Sequence, residues 1–276
     1  MSSSFTVVVL HAHPDDEAIF TGLTMRRLAD AGVRVVLVTA TGGEEGEPRI
    51  RLSPGETLGA RRLAELERSC DLLGVQRLVP LGYRDSGAGG GPWPAGSLGA
   101  APIGQPVEDL ARVVEQESAS ALIHYDPQGM YGHVDHVRVH RMGAEVARRT
   151  GIAAYETTVD DAVLRRGPRH LLHVAAGDDR PLGVPGDQIS LTVRASGSDL
   201  LTKMAAMCAH ASQIGPEFLD GASFLRTYGQ EWFVRRGALG PVDVVLAGSP
   251  AARNGTGANL EAAVSHRSEL VAAGAR

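Results

Sequence analysis

Cysteine is nearly absent from this chain: Cys70 and Cys208 are the only two in 276 residues. Two widely separated thiols, each beside helix-like apolar residues, exclude a disulfide framework. They read as reduced, buried cysteines of a cytoplasmic protein. Aromatic residues make up only 4% of the sequence. No window holds the roughly 20 consecutive apolar residues that a membrane-spanning helix requires. The apolar run Phe5–Leu10 is too short for a signal-peptide core, and no basic residue precedes it. Positive charge is not in excess either. A net charge of −5 lacks the basic stripe that phosphate backbones demand, so nucleic acid is excluded as a partner. Internal repeats are absent.

What is present is an ordinary globular balance, with 43% hydrophobic and 21% charged residues. The length suits one large α/β domain over 1–250, its core in 5–160 and a less regular part in 161–250, followed by a peripheral tail over 251–276. In the first half, strand and helix signals alternate. Phe5–His11 and Val33–Thr39 are β-branched runs of strand length. Leu78–Leu81 and Ala121–Tyr125 are shorter strands. Between them, Glu17–Ala31, Thr57–Leu73, Val107–Gln116 and His136–Arg149 carry helical periodicity, and Gly32 and Gly74 supply stops for the first two. Such alternation predicts a Rossmann-like three-layer αβα fold with a mostly parallel sheet covered on both faces. Beyond 155, strands at Tyr155–Thr158, Gln188–Val193 and Gln230–Arg235 and helices at Asp160–Arg166 and Ser198–His210 complete the sheet and form a rim or lid. Gly82–Gly104, which also holds Pro92, Pro94 and Pro102, reads as a long surface loop.

In sheets of this kind, ligands bind beyond the carboxyl ends of the strands. Three polar clusters fall there: HAHPDDE, TGGEEGEPR and YDPQGMYGHVDHVRVH. A catalytic zinc takes three nitrogen or carboxylate ligands and leaves a fourth position open to water. The H-x-x-D spacing of His13 and Asp16 suits one ion at a strand-to-helix junction. Asp15 then faces the open position, where a carboxylate acts as general base. The plainer reading, an acidic helix start that complements the dipole, explains the acids but not the histidine beside them. At the second junction His136 supplies a third ligand. His133 stays off the metal to bind a developing oxyanion, and Asp135 sets the tautomer of a neighbouring imidazole. His140, one turn on, and Arg138 suit a solvated helix start. His11 reads as a supporting or buried core residue, and His124 carries no assignment.

AHPDDE joined to the distal YGHVDHVRVH resembles the LmbE-like, PIG-L-type metal-dependent de-N-acetylases. GGEEGEP, LGARRLAELERSCDLLG, GYRDSG and the downstream HASQ (His210–Gln213) are similar too. The likeness is close over about residues 5–145. It implies a metal (Zn²⁺, with Fe²⁺ using the same donors) on His13, Asp16 and His136, and Asp15 as base. His133 would stabilise the tetrahedral oxyanion, Tyr131 at the pocket wall would help polarise the amide carbonyl, Asp135 would tune a histidine, and Glu47, Arg62 and Asp85 would line a sugar pocket. Without the resemblance, Arg62 would read as half of a helical ion pair with Glu65, and Glu47 as a solvated loop acid. Val134 departs from the usual HPDH and removes no catalytic group.

The resemblance implies hydrolytic removal of acetyl from an N-acetylglucosaminyl-type sugar, a small-molecule substrate. The nearest alternative is an amidase acting on larger mycothiol-type conjugates, as in the similar actinobacterial enzymes. From other classes come a non-catalytic metal- or sugar-binding module and a nucleotide-binding α/β protein. The last is disfavoured because no GxGxxG or GxxxxGK[ST] follows a strand. Nothing in the pattern excludes a homo-oligomer.

Overall fold

Two-sided burial decides the centre of the molecule. In the computed structural model, which describes residues 5–89, 91–168, 170–176 and 182–247, strand β1 (Thr6–His11) is buried at every position. Strand β2 (Arg34–Thr41) is buried at all but its first. Between them run helices α1 (Asp16–Phe20) and α2 (Gly22–Asp30). Helix α3 (Leu58–Leu73) is capped by Thr57 and leads to β3 (Arg77–Tyr83). Helix α4 (Gly104–Gln116), β4 (Ala121–Tyr125), the turn α5 (Gly129–Gly132), α6 (Val134–Thr150) and β5 (Ala153–Thr158) follow. The remainder comprises α7 (Asp161–Arg166), α8 (Leu171–Ala176), β6 (Leu191–Arg194), α9 (Gly197–Ala209), α10 (Gly221–Tyr228), β7 (Gln230–Arg236) and α11 (Pro241–Ala247).

The seven strands form one mostly parallel sheet in the order β3-β2-β1-β4-β5-β7-β6. The first five are parallel, whereas β7 runs antiparallel to both β5 and β6. Right-handed crossovers put helices on opposite faces when the chain reverses direction across the sheet. The β1-to-β3 steps carry α2 and α3 to one face, where α9 packs on both. The return through β4 to β5 carries α4 and α6 to the other, where they pack on each other. The reversal lies between β1 and β4, and their loops open side by side at the carboxyl ends.

Local outcomes differ from the sequence pattern in several places. The helix expected over Glu17–Ala31 is two, broken at Thr21, whose hydroxyl donates to the Glu17 carbonyl and meets His11 Nε2 at 2.8 Å. The second helix is capped from far away: Glu231 on β7 accepts the Leu23 and Thr24 N–H groups at 2.8 and 2.9 Å. The strand expected over Gln188–Val193 begins later, at Leu191. There antiparallel pairing with β7 sets the register, and a turn of 3₁₀ helix occupies Gly186–Gln188. Strand β3 runs to Tyr83, so the long loop starts later than Gly82. Within it, Ser86, Ser97 and Leu98 are buried rather than free on the surface. Helices α8, α10 and α11 were not anticipated. The expected tail, 251–276, lies outside the described residues. One continuous apolar cluster runs from Val7 in β1 to Leu246 in α11.

Candidate active site

The β1–α1 junction folds back on itself. Asp16 Oδ2 accepts the His13 N–H at 2.9 Å and lies 3.4 Å from His13 Nδ1. Asp15 adopts φ 117°, ψ −30°. This left-handed region is costly for most side chains and is visited by Asp more readily than by bulky residues. The two adjacent carboxylates point apart, Asp16 back toward His13 and Asp15 toward Arg62.

The β4–α6 loop is shaped by Asp126, which accepts the Gln128 and Met130 N–H groups and the Thr158 hydroxyl. Gly129 (φ 59°) passes so close to His136 that a Cβ would stand 2.6 Å from the His136 Cβ, which permits no side chain there. His136 is fully buried, and the Tyr125 ring stacks on it at 4.3 Å and 7°. His136 Nε2 lies 3.3 Å from His13 Nδ1 and 3.4 Å from Asp16 Oδ2. Three donors therefore form a triangle with edges of 3.3, 3.4 and 3.4 Å. Ligand atoms about 2.0–2.2 Å from a tetrahedral zinc stand roughly 3.3–3.6 Å apart. The triangle has the dimensions of one face of such a site, and these residues could hold a metal.

The rest of the His13 ring is arranged to match. Asp135 Oδ2 lies 3.4 Å from His13 Nε2 and Asp85 Oδ1 lies 3.6 Å from it. A proton on Nε2 leaves the Nδ1 lone pair facing Asp16 and His136. Asp135 is held in turn by the Ser86 N–H at 2.9 Å and by the Ser86 hydroxyl. Burial would lower the His13 pKa, but hydrogen bonds with Asp135, Asp16 and Asp85 hold it well above the ordinary imidazole value. Asp16 is held well below the carboxylate range by His136 and His13, against its burial. Asp85 is also lowered, by His13 and the Gly87 N–H, again against burial. Carboxylates converging on two imidazoles make a pocket suited to a cation.

Asp15 sits apart from this triangle. Arg62 Nη2 reaches its Oδ2 at 3.2 Å and the Pro14 carbonyl at 2.6 Å, and Nη1 donates to the Gly43 carbonyl at 2.8 Å. Gly43 (φ 67°) is required beneath the guanidinium, because a Cβ would lie 2.4 Å from Arg62 Cζ. Burial pushes the Asp15 carboxyl up to about 6, Arg62 opposing the rise and Asp16 adding to it. His133 caps α6, its Nδ1 accepting the Asp135 N–H at 3.2 Å. Burial, with His13 and His136 nearby, pushes it down to about 3, so it is neutral and keeps Nε2–H as a donor.

A cavity of about 280 Å³ opens over these groups. His13, Asp15, Asp16, Asp85, Tyr131 and His133 line it, with Arg62 and Gln213 beside them. Burial holds the Tyr131 hydroxyl well above its ordinary value, with Asp16 and Asp15 adding to the effect, so it remains a donor. The opposite wall is apolar. Ile19 and Phe20, on the same face of α1 as Asp16, line the cavity together with Leu171, Leu172 and Ala175 of α8.

Residues 8–147 match the family profile described as PIG-L, GlcNAc-PI de-N-acetylase. The chain is 34% identical to the 1D-myo-inositol 2-acetamido-2-deoxy-alpha-D-glucopyranoside deacetylase of Thermobispora bispora, over 91% of this chain and 94% of that one. It is 35% identical to the protein of the same name from Acidothermus cellulolyticus, over 88% and 97%. The chain belongs to the PIG-L family. Its fold is shared with N,N'-diacetylchitobiose deacetylase from Pyrococcus horikoshii, at TM-score 0.57 and 23% identity, covering 85% of this chain and 84% of that one. This PIG-L member is accordingly an enzyme, a hydrolytic N-deacetylase.

Of the residues expected at the site, His13, Asp15, Asp16, Arg62, Asp85, Tyr131 and His133 line the cavity. His136 and Asp135 stand directly behind His13. Glu47 is exposed and outside the lining, where Glu45 and Gly46 stand instead. Asp85 faces His13 as well as the cavity. His11 binds the Tyr125 and Thr21 hydroxyls, and burial lowers it to about 4, as befits a supporting core residue. His140 Nδ1 meets the Tyr125 carbonyl, away from the triangle. Missed were Ser86, Tyr125, the apolar wall, and Glu17, which read as a helix-dipole acid. The HPDDE string contained Glu17, but only its buried partners distinguish it from a surface carboxylate. No helix among the described residues is long and apolar enough to cross a membrane.

Proposed function

We propose that this enzyme removes the acetyl group from an N-acetylglucosaminyl unit carried on an inositol-type aglycone, releasing acetate and the free amine. The observation that carries the reading is the donor triangle of His13, Asp16 and His136 with a second, separately held carboxylate, Asp15, in the same cavity. The names of the relatives support the sugar and the aglycone.

His13 Nδ1, Asp16 Oδ2 and His136 Nε2 would hold the ion, Zn²⁺ in this proposal, with Fe²⁺ accepted by the same donors. When bound, it supplies a Lewis acid and lowers the pKa of water toward neutrality. Asp15 takes a proton from the attacking water and delivers it to the departing nitrogen as the C–N bond breaks. His133 Nε2–H and the Tyr131 hydroxyl donate to the oxyanion that forms on the carbonyl. Asp135 keeps the His13 proton on Nε2. Arg62 and Asp85 meet the sugar hydroxyls, and Glu47, on the exposed loop beside Gln213, meets the outer part of the substrate. The free thiols Cys70 and Cys208 support a cytoplasmic setting.

Amine release from the inositol-linked sugar, N-acetylglucosamine, a nucleotide sugar and a glycopeptide tests the reading, each with zinc, with chelator and with Asp15→Asn. Release that needs both metal and Asp15, fastest on the inositol-linked sugar, is expected. Metal-independent release, or near-normal turnover by Asp15→Asn, would refute it. The apolar wall of Ile19, Phe20, Leu171, Leu172 and Ala175 favours a second reading, an amidase acting on larger conjugates, in which a bulky thioether conjugate outpaces the plain sugar.

A further inference from the structure

Glu17 and His210 are fully buried, and neither has a part in the chemistry described above. His210 closes α9, 193 residues from Glu17, and its Nε2 meets Glu17 Oε1 at 2.6 Å. Ser69 of α3 donates its hydroxyl to the same oxygen. The other carboxylate oxygen, Oε2, accepts the Asp15 N–H at 2.9 Å. That N–H belongs to the residue with φ 117°, ahead of the first helical turn, where no intrahelical acceptor exists for it. The Asp15 carbonyl accepts the Ala18 and Ile19 N–H groups at 3.1 Å as the helix starts, which leaves its N–H and its carboxylate to be held from elsewhere. Arg62 takes its carboxylate, and Glu17 takes its N–H.

The neighbouring segment is anchored in the same way. Glu65 of α3 accepts the Ser212 N–H at 3.1 Å and its hydroxyl at 2.6 Å, so His210–Gln213 is tied to the core at two points. A backbone in a sparsely populated region persists only where its surroundings over-determine it. Glu17 can do so only if its own carboxylate is fixed, and two residues from other elements fix it.

We propose that His210 and Glu17 form a positioning relay that holds Asp15 in its left-handed conformation and so aims its carboxylate into the cavity. The inference rests on the reading of Asp15 as the base. The relay touches neither the substrate nor the donor triangle, so it acts on turnover rather than on metal loading. Displacing a reacting group by about 1 Å costs on the order of 100-fold in rate.

The test measures kcat, KM, bound metal and Tm for His210→Ala, His210→Gln, Glu17→Gln and Asp15→Asn in the full chain. The substrate is the inositol-linked N-acetylglucosamine. His210→Ala is expected to lose about 10- to 100-fold in kcat, with KM within about 2-fold and metal content unchanged. His210→Gln, whose amide can donate to Glu17 Oε1, should recover most of that loss. Glu17→Gln keeps an acceptor for the Asp15 N–H and should stay within about 10-fold of the parent. It answers the question if His210→Ala fails to fold. A normal kcat in His210→Ala with only Tm lowered would overturn the relay, as would loss of kcat in His210→Gln equal to that in His210→Ala. So would a Glu17→Gln enzyme as impaired as Asp15→Asn. If Asp15→Asn itself turns over normally, the base assignment fails, whatever the His210 variants do.

Discussion

Replacing Asp135 by asparagine tests how the metal-binding face of His13 is set. In the parent, Asp135 Oδ2 faces His13 Nε2 at 3.4 Å while Ser86 engages both carboxylate oxygens. Ser86 offers two donors, its N–H and its hydroxyl, and an asparagine must present its carbonyl oxygen to at least one of them. Oδ2 meets both the Ser86 N–H and His13 Nε2, so the carbonyl oxygen takes that place and the amide NH₂ turns to the Ser86 hydroxyl. The Nε2 proton then faces a neutral acceptor instead of a carboxylate and is held less firmly against the tautomer with the proton on Nδ1. That tautomer has no lone pair to offer beside Asp16 and His136. Loss of a partner that orients a metal-binding histidine typically weakens the metal 10- to 100-fold, or about 1.4–2.7 kcal/mol at 1.36 kcal/mol per decade. The assay is competition for Zn²⁺ against a chelator of known affinity, with circular dichroism to establish that the fold is kept. Ser86→Ala is the companion variant, since it loosens Asp135 without changing its charge and should weaken the metal by less. Metal affinity within 2-fold of the parent in a folded Asp135→Asn protein would refute the tautomer argument.

Three further outcomes follow from the same contacts. Asp15 must be ionised to accept a proton, so activity should fall as pH drops through about 6. Arg62 opposes that upward shift, and Arg62→Met should therefore move the acidic limb of the pH–rate profile to higher pH; an unmoved limb would remove Arg62 as its counter-charge. Lys203 is fully buried against Glu231, 2.7 Å away, so Lys203→Met strands a buried carboxylate and should cost about 3–5 kcal/mol in urea unfolding; a loss below about 1 kcal/mol would contradict this. Leu171→Ser places a hydroxyl on the apolar wall. It should raise KM for substrates with apolar aglycones several-fold while leaving N-acetylglucosamine within about 2-fold, and an equal rise for both would show that the wall does not select.

The sheet centre and the chemical motifs were legible in the chain because both are written locally. Strands buried on both faces must be near-continuous apolar runs, as Thr6–His11 and Arg34–Thr41 are. Ligand-bearing loops at strand ends must be polar, so HPDDE and HVDH stand out against those runs. Even the facing of α3 was readable, because Leu66, Cys70 and Leu73 recur at helical spacing and are buried. The break at Thr21 was not readable, since the apolar periodicity continues across it and the cap on the second helix comes from Glu231. Glu17 has the sequence context of a dipole-complementing acid, and becomes a buried acceptor only because α9 delivers His210 to it. Asp85 and Ser86, in a glycine-rich loop, reach His13 and Asp135 only through the fold, and the apolar wall of α8 has no signature of its own. Periodicity along a chain reports which side of an element leaves water. What that side then touches depends on elements a hundred or more residues away, and only their packing in three dimensions decides which buried polar groups find each other.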